Sequence, residues 1–128
     1  SFKYWKNKLD EAMGALVRSK GFCEKCGNKY ERLEWSHVIG RANKTLRWDV
    51  LNALCLCSRD HRWWWHEEPL EASKWFQEKF PERYDYLMVA KNVLVERTEE
   101  DYKDLLEAIK NKDFDKLIVP KDVLDNLL

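Results

Sequence analysis

Three cysteines and three histidines within 44 residues constrain this chain more than any other feature of its sequence. The group comprises Cys23, Cys26, His37, Cys57, His61 and His66. Thiolate and imidazole are ligands that zinc prefers, and four of them complete a tetrahedral site. Six candidates are more than one such site needs. The spacing therefore predicts two metal positions, a closed one that stabilises the fold and an open one at which chemistry can occur.

The C-x2-C pair predicts the closed position, because a two-residue gap lets both thiolates converge on one ion. Cys57 supplies a third ligand. The spacing leaves the fourth open: Asp60 completes a C-x2-D pattern that mirrors C-x2-C, whereas His61 completes C-x3-H, which is more usual for zinc. Cys55 lies two residues before Cys57, and we interpret it as a small buried apolar side chain rather than a ligand.

Disulfides are the alternative use of the four cysteines. The chain has no run of 18 or more apolar residues and no signal-peptide pattern, so we expect a cytoplasmic protein without a membrane partner. Thiols stay reduced in that compartment. A C-x2-C pair followed by a distant cysteine beside histidine therefore fits zinc better than a disulfide framework.

The net charge of zero conceals two halves of opposite sign. Residues 1–66 hold 13 Lys/Arg and 7 Asp/Glu, whereas residues 67–128 hold 10 and 16. The basic half carries all the candidate metal ligands, which indicates a polyanionic partner such as nucleic acid. With 128 residues, 45% of them hydrophobic, the chain is long and apolar enough for one domain with a buried core and an appended helical segment.

Local patterns predict a mixture of helices and short strands. Apolar alternation predicts a strand at residues 33–39, and the apolar stretch 50–55 is interpreted as a strand or an extended segment that enters the metal site. Thr98 followed by Asp101 predicts a capped helix that ends near Asn111. Periodicity and proline positions predict the remaining helices, at 3–19 and 60–67 and beginning at Pro69, Pro81 and Pro120.

Three stretches together resemble the HNH, or ββα-metal, nuclease superfamily, in particular its phage-type members with a zinc knuckle. They are WSHVIGR at 35–41, LRWDVLN at 46–52, and LCSRDH at 56–61 with HEEP at 66–69. The resemblance covers roughly residues 5–80. It implies an α+β fold, with a small ββα-metal (His-Me finger) core, a structural zinc knuckle, an N-terminal helix and a helical C-terminal extension. The domains it implies are a nuclease domain at 1–80 and the extension at 81–128.

The resemblance also implies a function, metal-dependent hydrolysis of DNA phosphodiester bonds by an endonuclease. His37 would be the general base, and Asn52 would hold the adjoining loop and orient His37. His61, together with His66, would bind a catalytic divalent cation (Mg²⁺, Mn²⁺ or Ni²⁺) at the scissile phosphate. Since His61 then belongs to that cation, Asp60 becomes the fourth ligand of the structural Zn²⁺. The expected DNA contacts are Arg41, Lys44 and Arg47.

One departure from the family pattern keeps other hypotheses open. Many members carry an acidic residue or a histidine, which binds the catalytic metal, just before the general base, whereas this chain has Ser36. Serine is a poor ligand, so the alternative is a non-catalytic, zinc-dependent DNA-binding module. A third hypothesis is that the acidic helical tail, residues 99–128, binds a partner protein or a second copy of the chain as a homodimer.

Overall fold

The computed structural model of this chain describes residues 1–126, which form a mixed α+β structure. Two strands, β1 (Leu33–His37) and β2 (Ala53–Cys57), pair in an antiparallel sheet. The first residue of each strand lies opposite the last residue of the other. Because of this register, the end of β1 at His37 and the end of β2 at Cys57 lie at opposite ends of the strand pair.

Helices surround the strand pair, and their bounds follow the sequence signals. They are α1 (Phe2–Arg18), α2 (Pro69–Lys79), α3 (Pro81–Ala90), α4 (Glu99–Lys110) and α5 (Lys121–Asp125). The predicted cap of α4 is confirmed: the Thr98 hydroxyl accepts from the Asp101 amide at 3.2 Å, and the Asp101 carboxylate accepts from the Thr98 amide at 2.8 Å. None of the helices in the described part of the chain has both the length and the apolar character needed to cross a membrane.

Two predicted elements differ from the structure. The apolar stretch predicted as a strand at 50–55 begins instead with a 3-10 turn, Val50–Asn52, because the Asp49 carboxylate accepts a hydrogen bond from the Leu51 amide at 2.8 Å and caps that turn. The helix predicted at 60–67 is a π-helical turn, Asp60–Trp65. The helix predicted to begin at Pro120 includes Leu127 and Leu128, and these two residues lie outside the described part of the chain.

The apolar side chains form two core clusters, and each cluster draws on residues from both sides of position 80. The first packs β1 and β2 against α2 and α3 through Leu54, Leu56, Phe76, Leu87 and Ala90. The second packs α1 against α4 through Leu9, Met13, Trp48, Leu105 and Ile109. The helical extension and the first 80 residues therefore bury apolar surface together.

Candidate metal centre and histidine cleft

Three thiols and one carboxylate meet at the end of β2. The potential ligand atoms of Cys23, Cys26, Cys57 and Asp60 all lie within 4.8 Å of one another. Asp60 Oδ2 is 3.2 Å from Cys23 Sγ and 3.4 Å from Cys57 Sγ. Three sulfurs and one carboxylate oxygen form a donor set that suits a tetrahedral ion. These four residues could hold a metal ion such as zinc.

The first two thiols are held by a tight turn that docks onto β2. The Gly27 amide donates to the Cys23 carbonyl at 2.8 Å, and Gly27 takes a positive φ of 80°, which favours glycine. Glu24 fixes the turn to the strand, because its amide donates to the Cys55 carbonyl and its carboxylate accepts from the Cys55 amide, both at 2.8 Å. Cys55 is fully buried and outside the cluster, as its interpretation as an apolar residue required.

The fourth position of the cluster, which the spacing alone left open, is filled by Asp60. His61 faces elsewhere: its Nδ1 lies 2.9 Å from Glu34 Oε1. Burial raises the pKa of the Cys23 thiol to about 12, with the neighbouring Asp60 carboxyl adding to the rise. A bound cation would therefore be needed to keep Cys23 as a thiolate at neutral pH.

A cleft with a volume of about 500 Å³ adjoins β1, and Trp35 and His37 of this strand line it. All three histidines of the chain line this cleft together with three arginines: His37, His61, His66, Arg18, Arg41 and Arg47. Asp10 is the one carboxylate among the lining side chains. The cleft therefore combines imidazoles, which can bind a cation or move a proton, with an excess of guanidinium groups that favours an anionic ligand.

His37 is held in the orientation of a proton acceptor. Its Nε2 lies 3.1 Å from the carbonyl oxygen of Arg47, and its ring packs on Trp35 with the centroids 4.3 Å apart. A carbonyl oxygen only accepts, so Nε2 carries the proton in the neutral ring and Nδ1 keeps its lone pair. Burial, together with the nearby charges of Arg47 and Arg41, lowers the pKa of His37 to about 4. The imidazole is therefore neutral at pH 7.

We expect NMR of the imidazole nitrogens to show His37 as the Nε2–H tautomer at pH 7, titrating near pH 4. In the unfolded chain its pKa returns to about 6.5. Between these values the unfolded state binds more protons, so the contribution of His37 to stability is complete above pH 6.5 and is lost as the pH falls towards 4. An Nδ1–H tautomer, or titration near pH 6.5 in the folded protein, would contradict the geometry.

Asn52 fixes the loop between β1 and the 3-10 turn. Its Oδ1 accepts from the Ile39 amide at 2.7 Å, and its Nδ2 donates to the carbonyls of Ile39 at 2.9 Å and Leu46 at 3.0 Å. These bonds satisfy the amide of a fully buried side chain. Among the described hydrogen bonds, Asn52 contacts the loop and not the imidazole of His37. Asn52 therefore acts on His37 indirectly, through the loop that carries Arg47 and its carbonyl, to which Nε2 of His37 is bonded.

His61 and His66 lie side by side, with their ring centroids 4.9 Å apart. Residues five apart do not share a face of an α-helix, so a regular α-helix here would separate His66 from His61. The π-helical turn changes this, because its hydrogen bonds run from residue i to i+5. Glu34, which the sequence interpretation missed, holds His61 Nδ1 at 2.9 Å and leaves Nε2 for a metal. An acidic residue inside the predicted strand was the signal available.

The three basic residues expected to contact DNA occupy different environments. Arg41 is exposed at the cleft. Arg47 lines the cleft too, but its guanidinium is bound to Asp10 through Nε–Oδ1 at 3.0 Å and Nη2–Oδ2 at 2.7 Å. Lys44 is not brought to the cleft, since its Nζ lies 4.4 Å from the centroid of the Phe2 ring. Arg18 of α1 lines the cleft and was missed by the sequence interpretation.

The Trp63–Trp65 run separates into exposed and packed rings. Trp63 is exposed to solvent, whereas Trp64 packs edge-on against Trp75 with centroids 5.1 Å apart. Trp65 packs against Phe76 in the core, and its indole N–H donates to the carbonyl of His37 at 3.1 Å. The indole of Trp65 thus ties the π-helical turn to the end of β1, at the residue that faces the cleft.

Fold and site together define a mixed α+β chain in which a Cys/Asp cluster that could hold a metal ion lies at the end of β2, and a cleft of histidines and arginines adjoins β1. Comparison with protein-family models, with curated proteins and with solved structures finds no match. The function must therefore be argued from the chemistry of these residues.

Proposed function

We propose that this chain is a metal-dependent endonuclease of the HNH, or ββα-metal, superfamily that hydrolyses DNA phosphodiester bonds. One observation carries the proposal: a single cleft contains a neutral His37 with an available Nδ1, the adjacent rings of His61 and His66, and an excess of arginines. In this proposal β1, β2 and the π-helical turn form the ββα-metal core. Cys23, Cys26, Cys57 and Asp60 would hold a structural Zn²⁺ and so join the C-x2-C turn to β2.

His37 is the general base in this mechanism. Its Nδ1 accepts a proton from the water that attacks phosphorus, while Nε2–H keeps its bond to the Arg47 carbonyl. The developing imidazolium is stabilised by that carbonyl, which can accept a charge-assisted hydrogen bond. Attack by water breaks the bond between phosphorus and the 3′ oxygen, and the leaving oxygen takes a proton from solvent. The products therefore carry 5′ phosphate and 3′ hydroxyl ends.

His61 and His66 would hold the catalytic divalent cation. Their rings are adjacent, and Glu34 fixes the ring of His61 so that Nε2 is the available donor. When bound there, the cation supplies Lewis-acid stabilisation of the phosphate and of the leaving oxygen. No third acidic, histidine or cysteine ligand joins these two within the described residues, so water and phosphate oxygens would complete the coordination sphere.

Arg41 would contact a neighbouring phosphate from the rim of the cleft. Its guanidinium has no carboxylate partner among the described residues, so it can form charge-assisted bonds to DNA. Arg47 contributes differently, since its charge is compensated by Asp10 and its carbonyl holds His37. The substrate is proposed as DNA because the basic half of the chain carries the cleft.

A second candidate function is a zinc-dependent DNA-binding module without catalysis. Ser36 favours it: the side chain is fully buried and its hydroxyl has no hydrogen-bond partner among the described residues. The residue just before His37 is thus unable to complete the catalytic metal site. Both hypotheses require the zinc centre and both predict salt-dependent DNA binding. They differ only in cleavage.

Conversion of supercoiled plasmid to nicked or linear DNA separates the two functions. Purified protein is incubated with Mg²⁺, Mn²⁺ or Ni²⁺, or with no added metal. We expect cleavage, and we expect Ni²⁺ to support it better than Mg²⁺, because two imidazole ligands suit Ni²⁺ whereas Mg²⁺ prefers oxygen. Absence of cleavage with every metal, together with retained binding in a low-salt gel shift, would replace the nuclease by the binding module.

The Glu34→Gln variant tests the proposed metal site. We expect the concentration of Mn²⁺ needed for half-maximal cleavage to rise by about 10- to 100-fold, because the carboxylate that orients His61 is lost. Cleavage at saturating Mn²⁺ should be reduced far less. Glu31→Gln is the matched control, since Glu31 is exposed and precedes β1. An unchanged Mn²⁺ dependence in Glu34→Gln would remove Glu34 and His61 from the metal site.

A further inference from the structure

One face of α1 crosses the cleft. Its residues Asp10, Gly14 and Arg18 follow at four-residue steps, which place them on one stripe of the helix, and all three line the cleft. Asp10 is bound to Arg47, as described above. Gly14 is buried in the interior of α1, where glycine is a poor helix former. Helix stability therefore does not explain a glycine at this position.

The reason is the position of Arg18. A Cβ built on Gly14 would lie 2.8 Å from Nη1 of Arg18, closer than such atoms approach, and 3.5 Å from its Cζ. The guanidinium of Arg18 therefore lies directly over the backbone of Gly14, in space that any other side chain would fill. The contact is with the far end of a flexible side chain, so a Cβ at position 14 would move the guanidinium and not the helix.

Arg18 brings an uncompensated charge to this place. Among the described residues it forms no ion pair, in contrast to Arg47 with Asp10. Arg18 and Arg41 are thus two guanidinium groups without carboxylate partners in the cleft that contains His37. A guanidinium presents paired N–H donors that match phosphate oxygens, and two such groups around one cleft fit a phosphodiester backbone.

We propose that Arg18 binds a phosphate of the nucleic acid in the cleft that contains His37. Gly14 leaves the space in which the Arg18 guanidinium lies and so positions it in this cleft. The proposal rests on the proposed function for its ligand, DNA, but the contact itself requires no cleavage. Arg18 is a substrate-binding residue in this scheme, and Gly14 positions it. The alternative is that Arg18 has only a structural role, in which its positive charge stabilises the last turn of α1.

The test measures binding of a fluorescein-labelled 20-mer DNA duplex by anisotropy, without added divalent cation so that no cleavage occurs. We expect Arg18→Ala to raise Kd by about tenfold. The slope of log Kd against log salt should fall by about 0.9, the value for one lost phosphate contact. Lys110→Ala is the matched control, because Lys110 is an exposed cation in the last turn of α4 and lies outside the cleft.

The Gly14→Ala variant distinguishes an effect on the position of Arg18 from an effect on the stability of α1. We expect it to raise Kd, while its melting temperature stays equal to or above that of the wild type, since alanine favours the helix. The double variant Gly14→Ala/Arg18→Ala should bind no more weakly than Arg18→Ala alone, because Gly14 acts only through Arg18. The single variant Gly14→Ala also keeps the test valid where Arg18→Ala itself fails to fold, because it retains Arg18.

Unchanged Kd and salt slope in Arg18→Ala, or fully additive losses in the double variant, would overturn the proposal. Wild-type protein that binds no duplex would also overturn it. These outcomes are separate from a failure of the nuclease hypothesis: a protein that binds DNA through Arg18 without cutting plasmid retains this inference and loses catalysis. A protein that cuts plasmid but binds normally without Arg18 retains catalysis and loses this inference.

Discussion

The His37→Ala variant is expected to cleave plasmid about 10²- to 10⁴-fold more slowly than the wild type, the usual contribution of a general base. Among the described residues, no other imidazole combines an available Nδ1 with a fixed orientation, because Nδ1 of His61 is bound to Glu34 and no hydrogen bond fixes the ring of His66. The fold should survive, since the lost interactions are one hydrogen bond to the Arg47 carbonyl and the packing on Trp35. The measurement is the initial rate of nicking at saturating Mn²⁺.

His66→Ala is the control that separates a base from a metal ligand. Loss of a ligand weakens metal binding, so raising the Mn²⁺ concentration should restore part of the activity of His66→Ala. The same increase should not raise the reduced cleavage rate of His37→Ala, because the metal ligands of that variant are intact. Zinc content and circular dichroism check that both variants are folded. Wild-type cleavage rates in His37→Ala would refute the mechanism, whatever the metal dependence.

The helices were predictable from sequence because their signals are local. Pro69 and Pro81 begin α2 and α3, and Thr98 with Asp101 caps α4, since each of these residues acts within one turn of the backbone. The π-helical turn at 60–65 was not predictable in the same way. Its hydrogen-bond pattern is decided by packing of Trp64 and Trp65 against α2, which lies outside the local sequence.

The site was predictable in its ligand types and less so in its pairings. Spacing indicated three thiols of one cluster, but it could not decide between Asp60 and His61, because adjacent residues both reach an ion from the end of a strand. The choice depends on Glu34, which holds His61 away from the cluster. The sequence likewise identified the basic residues but not their surroundings. Lys44 and Arg47 are both basic, yet Lys44 lies against Phe2 and Arg47 is bound to Asp10.

The Cys57→Ala variant is expected to lose its metal and most of its stability. Zinc sites of this kind contribute roughly 10–16 kcal/mol of apparent binding free energy in small domains, which is comparable to the roughly 5–15 kcal/mol that stabilises a typical fold. Cys57 is the last residue of β2 and contacts Asp60, so its loss opens the centre at the strand itself. We expect no cooperative thermal transition at the wild-type temperature and less than one zinc per chain by elemental analysis.

Cys55→Ala is the matched control, because Cys55 lies two residues away on the same strand, is fully buried, and has no place in the metal cluster. Removing its sulfur should cost about 1 kcal/mol through lost packing and leave one zinc per chain. Comparison of the two variants separates the loss of metal binding from the loss of buried apolar contacts, since both variants remove one buried thiol from β2. Equal losses of stability in the two variants, with zinc retained in Cys57→Ala, would show that the four-residue cluster is a packed core and not a metal centre.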